Sequence, residues 1–170
     1  MIRYLDFNMK KFSIEFKWAI QFSLFSLVWQ IIEKSAGLHD EKIAQQALYT
    51  NLFAFVAVTI YYLALRDKKK NYYLGQMDWK QGTVSGIALT FLITALLPVV
   101  QHVSYNYISP TFFDHMIEYA VQSKHMKRAQ AEMFFNMNSY TIMAIFNALS
   151  MGVITSAVVA LLLKTKPEKS

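Results

Sequence analysis

Cysteine is absent from the chain, which excludes disulfides and thiolate metal ligands. Glycine and proline are scarce, at five and three residues, and no Gly-, Pro- or Ser-rich stretch marks off a second domain. Charge is also short. Asp, Glu, Lys and Arg make up 16% of the sequence, against a usual ~25%. Four windows carry none of them: residues 18–32, 43–65, 81–113 and 133–163. Those windows hold 102 of the 170 residues, so all 28 charged side chains crowd into the other 68. A soluble helical protein spreads charge along its helices, because every surface helix keeps a wet face. Segregation on this scale excludes disorder, a coiled coil and an ordinary soluble enzyme. With 55% hydrophobic and 15% aromatic residues, the pattern is that of an all-α, polytopic membrane protein with four transmembrane helices and short interfacial helices, in a single integral membrane domain.

The net charge of +6 sorts by side of the membrane. Arg3, Lys10, Lys11, Lys17, Arg66, Lys68, Lys69, Lys70, Lys80, Lys164, Lys166 and Lys169 fall on the side of both termini, and Lys34, Lys42, Lys124, Lys127 and Arg128 on the other. The acids divide almost evenly, so the asymmetry lies in Lys and Arg alone, as the positive-inside rule expects. Both termini and the loop between the second and third spans are expected in the cytoplasm. The basic excess reads as a topology signal and a surface suited to anionic lipid, with no nucleic-acid partner. No cleavable signal is expected, because the first apolar stretch follows a long charged and aromatic leader without a small-x-small site.

Spans are expected at about 14–34, 49–65, 82–104 and 140–163. The first is the least apolar: its charge-free core of 15 residues is short of the ~20 that a span needs. Residues 1–15 read as a short interfacial helix or an arm on the membrane. Pro98 predicts a kink near 94–98. The outer segment 110–139 predicts two amphipathic helices, one opened by Ser109-Pro110 or by Thr111, with Asp114 three residues after Thr111 in a capping-box position, the other presenting Met126, Ala129, Met133 and Phe134 on one face. Tyr61 and Tyr62 read as inner interface anchors, Tyr105 and Tyr107 as outer ones. Aromatic starts and basic stops shared by the two hairpins leave open a parallel internal repeat.

The most specific pattern is a pair of stripes at spacing four: Gly82, Gly86, Thr90, Thr94, Pro98 and His102 on the third span, and Ala144, Ala148, Gly152, Ser156 and Ala160 on the fourth. Residues four apart share a helix face. In lipid, small residues let helix backbones approach closely, so these stripes predict packing of the two helices on each other or on another copy. No ionisable residue lies at mid-span, which weighs against ion-coupled transport. An outer polar cluster of Gln30, His39, Asp40, Gln101, His102 and His115 is the remaining candidate, for a metal or proton-sensing site or for scattered loop residues. No nucleophile, zinc, dinucleotide or phosphate motif is present, and His102 is the expected base if a serine were to act. No cofactor or metal is expected.

Several segments carry a resemblance. They are Lys11-Phe12-Ser13-Ile14-Glu15-Phe16-Lys17-Trp18; Glu33-Lys34 with Gly37-Leu38-His39-Asp40; Tyr49-Thr50-Asn51-Leu52-Phe53-Ala54; and Ala64-Leu65-Arg66-Asp67-Lys68-Lys69-Lys70 leading to Tyr73, Gly75, Met77, Trp79-Lys80-Gln81-Gly82 and Ser85-Gly86. Together, to about Lys166, the chain resembles an uncharacterised family of small bacterial four-helix membrane proteins, domain of unknown function 4199. The resemblance implies topology and an inner-membrane location, and no activity. Where it leads one to expect a proline, this chain reads Phe53-Ala54-Phe55-Val56-Ala57. The function expected is that of a non-enzymatic scaffold, accessory subunit or envelope factor working by helix–helix association, with the lipid bilayer and a second copy or another membrane protein as partners. The alternative is a small oligomeric transporter or channel lined by Thr90, Thr94, Gln101 and His102, and the third reading an intramembrane enzyme.

Overall fold

A computed structural model of the chain describes the backbone of residues 2–123 and 125–165, with side chains from residue 12 onward. Among the described residues every regular element is helical: α1 (Ile2–Ser35), α2 (Gln46–Asn51), α3 (Phe53–Asn71), α4 (Trp79–Val103), α5 (Phe112–Gln122), α6 (Arg128–Phe134) and α7 (Met137–Leu163). A 3-10 turn (Ile43–Gln45) precedes α2, and a π-helical turn (Ser104–Ile108) extends α4.

Three stretches are long and apolar enough to cross a membrane: Ile43–Asn71, Trp79–Ile108 and Met137–Leu163, of 29, 30 and 27 residues. Only 22–33% of each apolar window is buried inside the protein. Phe55, Phe91, Val99, Phe146 and Leu162 stand exposed, surface that water disfavours and lipid accepts. Four spans were expected, and three helices meet the length and apolar character of one. α1 is helical throughout but is not in this set, because Glu15, Lys17, Gln21, Gln30 and Glu33 interrupt its apolar face. Neither an interfacial helix nor an arm breaks off before residue 14, since α1 runs unbroken from Ile2. α2 and α3 are parted only by a turn at Leu52, where the chain lacks proline.

Contacts gather into two compact units, each drawing on segments of α1, α3, α4 and α7: residues 1–22, 55–95 and 147–170, and residues 23–54 and 96–146.

In the first unit α4 and α7 meet along their small residues. A Cβ built on Gly82 would lie 2.8 Å from the Ala160 Cβ, and one on Gly86 2.5 Å from the Ser156 Cβ. One on Gly152 would lie 2.5 Å from Thr90 Cγ2 and 2.7 Å from Tyr61 Oη. The pairs 82–160, 86–156 and 90–152 share one antiparallel register. Tyr61 is buried, at 4% exposure, with its ring edge on Phe22, so it is a packing residue and not an interface anchor. At the start of α4, Asp78 and Gln81 form a reciprocal cap: Gln81 N–H donates to Asp78 Oδ1 (2.8 Å) and Asp78 N–H to Gln81 Oε1 (3.0 Å), satisfying two orphan donors.

The second unit holds α5 and α6, the helices expected on the outer side. Ala120 of α5 and Ala131 of α6 are buried with Phe135, against Met116, Ile117 and Met126. Of the face expected of α6, Met126 packs against this cluster while Met133 and Phe134 are exposed, and Ala131 makes the contact because a small residue lets the two helices close up. Thr111 is the N-cap of α5 but makes no side-chain cap bond. Its backbone, at φ −91° and ψ 2°, departs from the extended geometry that aims a cap hydroxyl at the helix. Tyr105 is buried, stacked on Phe112 with centroids 5.0 Å apart and in contact with Phe113 and Tyr140. It is a core residue rather than an anchor. Tyr107 is exposed.

Candidate functional site

The densest polar construction lies in the second unit and begins with the way α1 ends. Gly37 takes φ +78°, a left-handed turn that a side chain disfavours. Leu38 N–H returns to the Glu33 carbonyl (3.0 Å) and Gly37 N–H to that of Lys34 (2.9 Å), a Schellman stop sealed by buried Leu38. The reversal carries His39 back over the last turn of α1, 3.3 Å from Glu33 Oε2 through Nε2.

From the other direction, the π turn closes with Ser109 N–H on the Ser104 carbonyl (2.8 Å) and brings Ser109 Oγ to 2.6 Å from His39 Nδ1. Glu33 Oε1 accepts from Trp29 Nε1 (2.7 Å) and from Thr50 Oγ (2.7 Å), and Thr50 in turn accepts from Gln46 Nε2 (2.8 Å). Lys34 Nζ donates to the Ile108 carbonyl. A carboxylate offers only acceptors, so Nε2 of His39 donates to it; in the neutral imidazole Nδ1 is then the acceptor for the Ser109 hydroxyl. Glu33 and His39 are each 1% exposed and Ser109 3%. Phe112 sets its ring edge against the imidazole, with centroids 5.1 Å apart.

Serine, imidazole and carboxylate thus stand in hydrogen-bonded order, and His39, not His102, is the base beside a serine. The order within the ring is the reverse of the hydrolase arrangement, in which Nε2 serves the serine. With all three groups sealed from solvent, the arrangement binds α1, the turn after it, α2, the end of α4 and α5 into one piece.

Of the expected outer cluster, the structure joins His39, Asp40 and His115. His115 Nδ1 lies 2.9 Å from the His39 carbonyl and 2.9 Å from Asp40 Oδ1. His102 is apart from them, exposed and bonded to Asn106 (3.1 Å). Gln101 buries its Oε1 without a hydrogen-bond partner, and Gln30 is half-buried. Among the described residues no group of three or more His, Asp and Glu side chains is placed to hold a metal ion. Sequence reasoning missed Glu33, Thr50 and Ser109. The signal present was Gly37 two residues past the end of α1, which as a helix stop reverses the chain toward Glu33.

The first unit carries a second polar construction. Lys68 and Glu15, each 2% exposed, face each other with Nζ 2.9 Å from Oε1 and 3.0 Å from Oε2. The ammonium also lies over the Tyr72 ring (4.0 Å) and near that of Phe12 (5.8 Å). Beside it Asp67 Oδ2 accepts from Lys17 Nζ (2.6 Å) and Trp18 Nε1 (2.8 Å), and Asp67 Oδ1 from Asn71 (2.6 Å). In the turn after α3, burial pushes the Tyr73 phenol above its ordinary range, and a hydrogen bond with Ser85 works against that.

The stripe residues are spent on packing. Thr90 Oγ donates to the Gly86 carbonyl (2.9 Å), so Tyr61 Oη donates to Thr90 (2.7 Å). Thr94 donates to the Thr90 carbonyl (2.8 Å) and Ser156 to that of Gly152 (2.6 Å).

Helices of this length and apolar character, outward-facing aromatics and a small-residue seam define a helical protein of the membrane class. Residues 17–165 match the family described as protein of unknown function (DUF4199), and the chain belongs to it. No curated protein and no solved structure matches the chain.

Proposed function

We propose that this chain is a four-span protein of the cytoplasmic membrane, both termini cytoplasmic, that works without catalysis by associating with a second copy or another membrane protein, as a scaffold or accessory subunit. What supports it is how the span polar groups are used. Thr59, Thr83, Thr90, Thr94 and Ser156 return their hydroxyls to their own helix, and the small residues of α4 and α7 close on one another. Large apolar side chains such as Phe55, Phe91, Phe146 and Leu162 face outward, open to lipid and to the helices of a partner. A channel has less support, because the Thr90 and Thr94 hydroxyls are already committed. Crosslinking in native membranes followed by mass spectrometry is expected to recover one reproducible partner or homo-oligomer; a strictly monomeric, partnerless protein overturns the reading.

α1 is the fourth crossing in this proposal. Glu15 and Glu33 are 18 residues apart, about 27 Å of helix rise, close to the ~30 Å of a hydrocarbon core. Its charges therefore fall at the two interfaces, where Lys68, Asp67 and the Trp29–Thr50–His39 set meet them. Since the chain has no cysteine, single cysteines report topology without background. Glu41→Cys is expected to react with a membrane-impermeant maleimide on intact cells, and Asn8→Cys and Lys70→Cys only after permeabilisation. Labelling of Asn8→Cys from outside would show that α1 does not cross.

A further inference from the structure

Trp79 begins α4 and lays its indole against α7, donating Nε1–H to the Ala157 carbonyl (2.9 Å). Its ring remains 48% exposed. With Ala157, Val158, Leu161 and Lys164 it bounds an open groove of about 470 Å³, within the range of ligand pockets, roughly 300–1,000 Å³. Val158 and Leu161, one helical turn apart, form a floor that is more than half exposed. Lys164 is the charged residue of the groove. Among the described residues no carboxylate lies within ion-pair distance of it. The backbone around it is already satisfied: the Leu163 carbonyl takes Lys69 Nζ (2.8 Å), and Thr165 N–H meets the Met77 carbonyl (2.8 Å). The groove therefore presents an apolar floor, an indole wall and, at one end, an ammonium with no counter-charge among the described residues.

That sequence of surfaces is the complement of one amphiphile. A partner helix would satisfy the floor and leave the ammonium unmatched; a soluble anion would use the ammonium and leave the floor bare. Lys80 follows Trp79, and Asp78 is held in the cap with Gln81, so the local balance is basic. We infer that the groove seats one anionic phospholipid, an acyl chain lying along Val158 and Leu161 against the Trp79 indole and the headgroup phosphate on Lys164. Lys and Arg near a membrane surface attract anionic lipid individually, and Trp favours this depth. The inference rests on the membrane location of α4 and α7 and not on any protein partner, so a monomeric protein leaves it intact.

The test uses the full chain in vesicles of phosphatidylcholine and phosphatidylglycerol, with one or the other lipid brominated on its acyl chains to quench tryptophan. The Trp79 component is the difference between the wild type and Trp79→Phe. Brominated phosphatidylglycerol is expected to half-quench it at about a fivefold lower mole fraction than brominated phosphatidylcholine. Lys164→Gln should abolish that preference, and Lys70→Gln, the same charge change outside the groove, should keep it. Native mass spectrometry of protein released from the same vesicles gives an independent count: one phosphatidylglycerol retained by the wild type and by Lys70→Gln, none by Lys164→Gln. Equal quenching by the two lipids, an unchanged preference in Lys164→Gln, or a Trp79 component that neither lipid reaches (as when a protein helix covers the groove) overturns it.

Discussion

Glu33→Ala is expected to destabilise the protein by about 3–5 kcal/mol, the cost of removing one partner from a buried charged network. The loss is large because several donors depend on one carboxylate. Trp29 Nε1–H, the Thr50 hydroxyl and His39 Nε2–H all converge on it, and at 1% exposure water does not replace them. A buried donor left unmade costs about 1–3 kcal/mol, and the chain from Gln46 through Thr50 is polarised by the same group. Glu33→Gln keeps the shape and an acceptor for Trp29 and Thr50, so its loss should be about 1 kcal/mol. Asp40→Ala removes a partner of His115 in an ion pair whose side chains are 45% and 34% exposed, and should cost less than ~1 kcal/mol. Unfolding of the purified protein in detergent, followed through tryptophan fluorescence, ranks the three. A Glu33→Ala variant within 1 kcal/mol of the wild type would mean that the network is not what holds this unit together.

The contrast between that network and the α4–α7 seam shows what a sequence of this kind discloses. Spacing four is a local property of a helix, so Gly82, Gly86 and Thr90 read as one face before any partner is known. Two successive membrane-crossing helices run antiparallel whatever joins them, so the seam needs no further information. Glu33, His39 and Ser109 had no such periodicity. Six residues separate the first two and 70 the second and third, and they meet through a left-handed Gly37 and a five-residue π turn. The sequence names the histidines but does not assemble them into a site, because burial decides between them: His39 is sealed, while His102 lies exposed on α4. The same limit applies to the aromatics. Tyr61 and Tyr105 stand where belt residues stand in sequence, yet each points inward, because Thr90 offers one a hydrogen bond and Phe112 and Phe113 offer the other a ring stack. Hydropathy found three spans cleanly. It could not grade α1, whose polar residues have partners supplied by other parts of the chain.

Lys68→Met should be the most damaging change in the first unit, also about 3–5 kcal/mol, because it leaves Glu15 buried opposite an apolar chain. Its mirror, Glu15→Leu, leaves the ammonium buried, but Tyr72 and Phe12 still lie within reach of it. Aromatic faces recover up to about 2 kcal/mol for a desolvated cation, so this loss should be the smaller of the two. The decisive variant is the double one. Replacing a buried pair with apolar residues of similar volume is often neutral or stabilising, by about 1–4 kcal/mol, so Glu15→Leu with Lys68→Met should recover most of what either single change loses. The cycle then gives a coupling energy of at least about 3 kcal/mol. Lys17→Gln, on the neighbouring pair with Asp67, is the control. Lys17 is 53% exposed, and a solvated pair is worth at most about 1 kcal/mol. If the double variant is instead as unstable as the two losses added together, the two side chains contribute independently and the pair is not what joins α1 to α3. If it is as stable as the wild type, the paired charges are dispensable for folding. α1 would then have gained two apolar contacts at the end where its own composition falls short of a span.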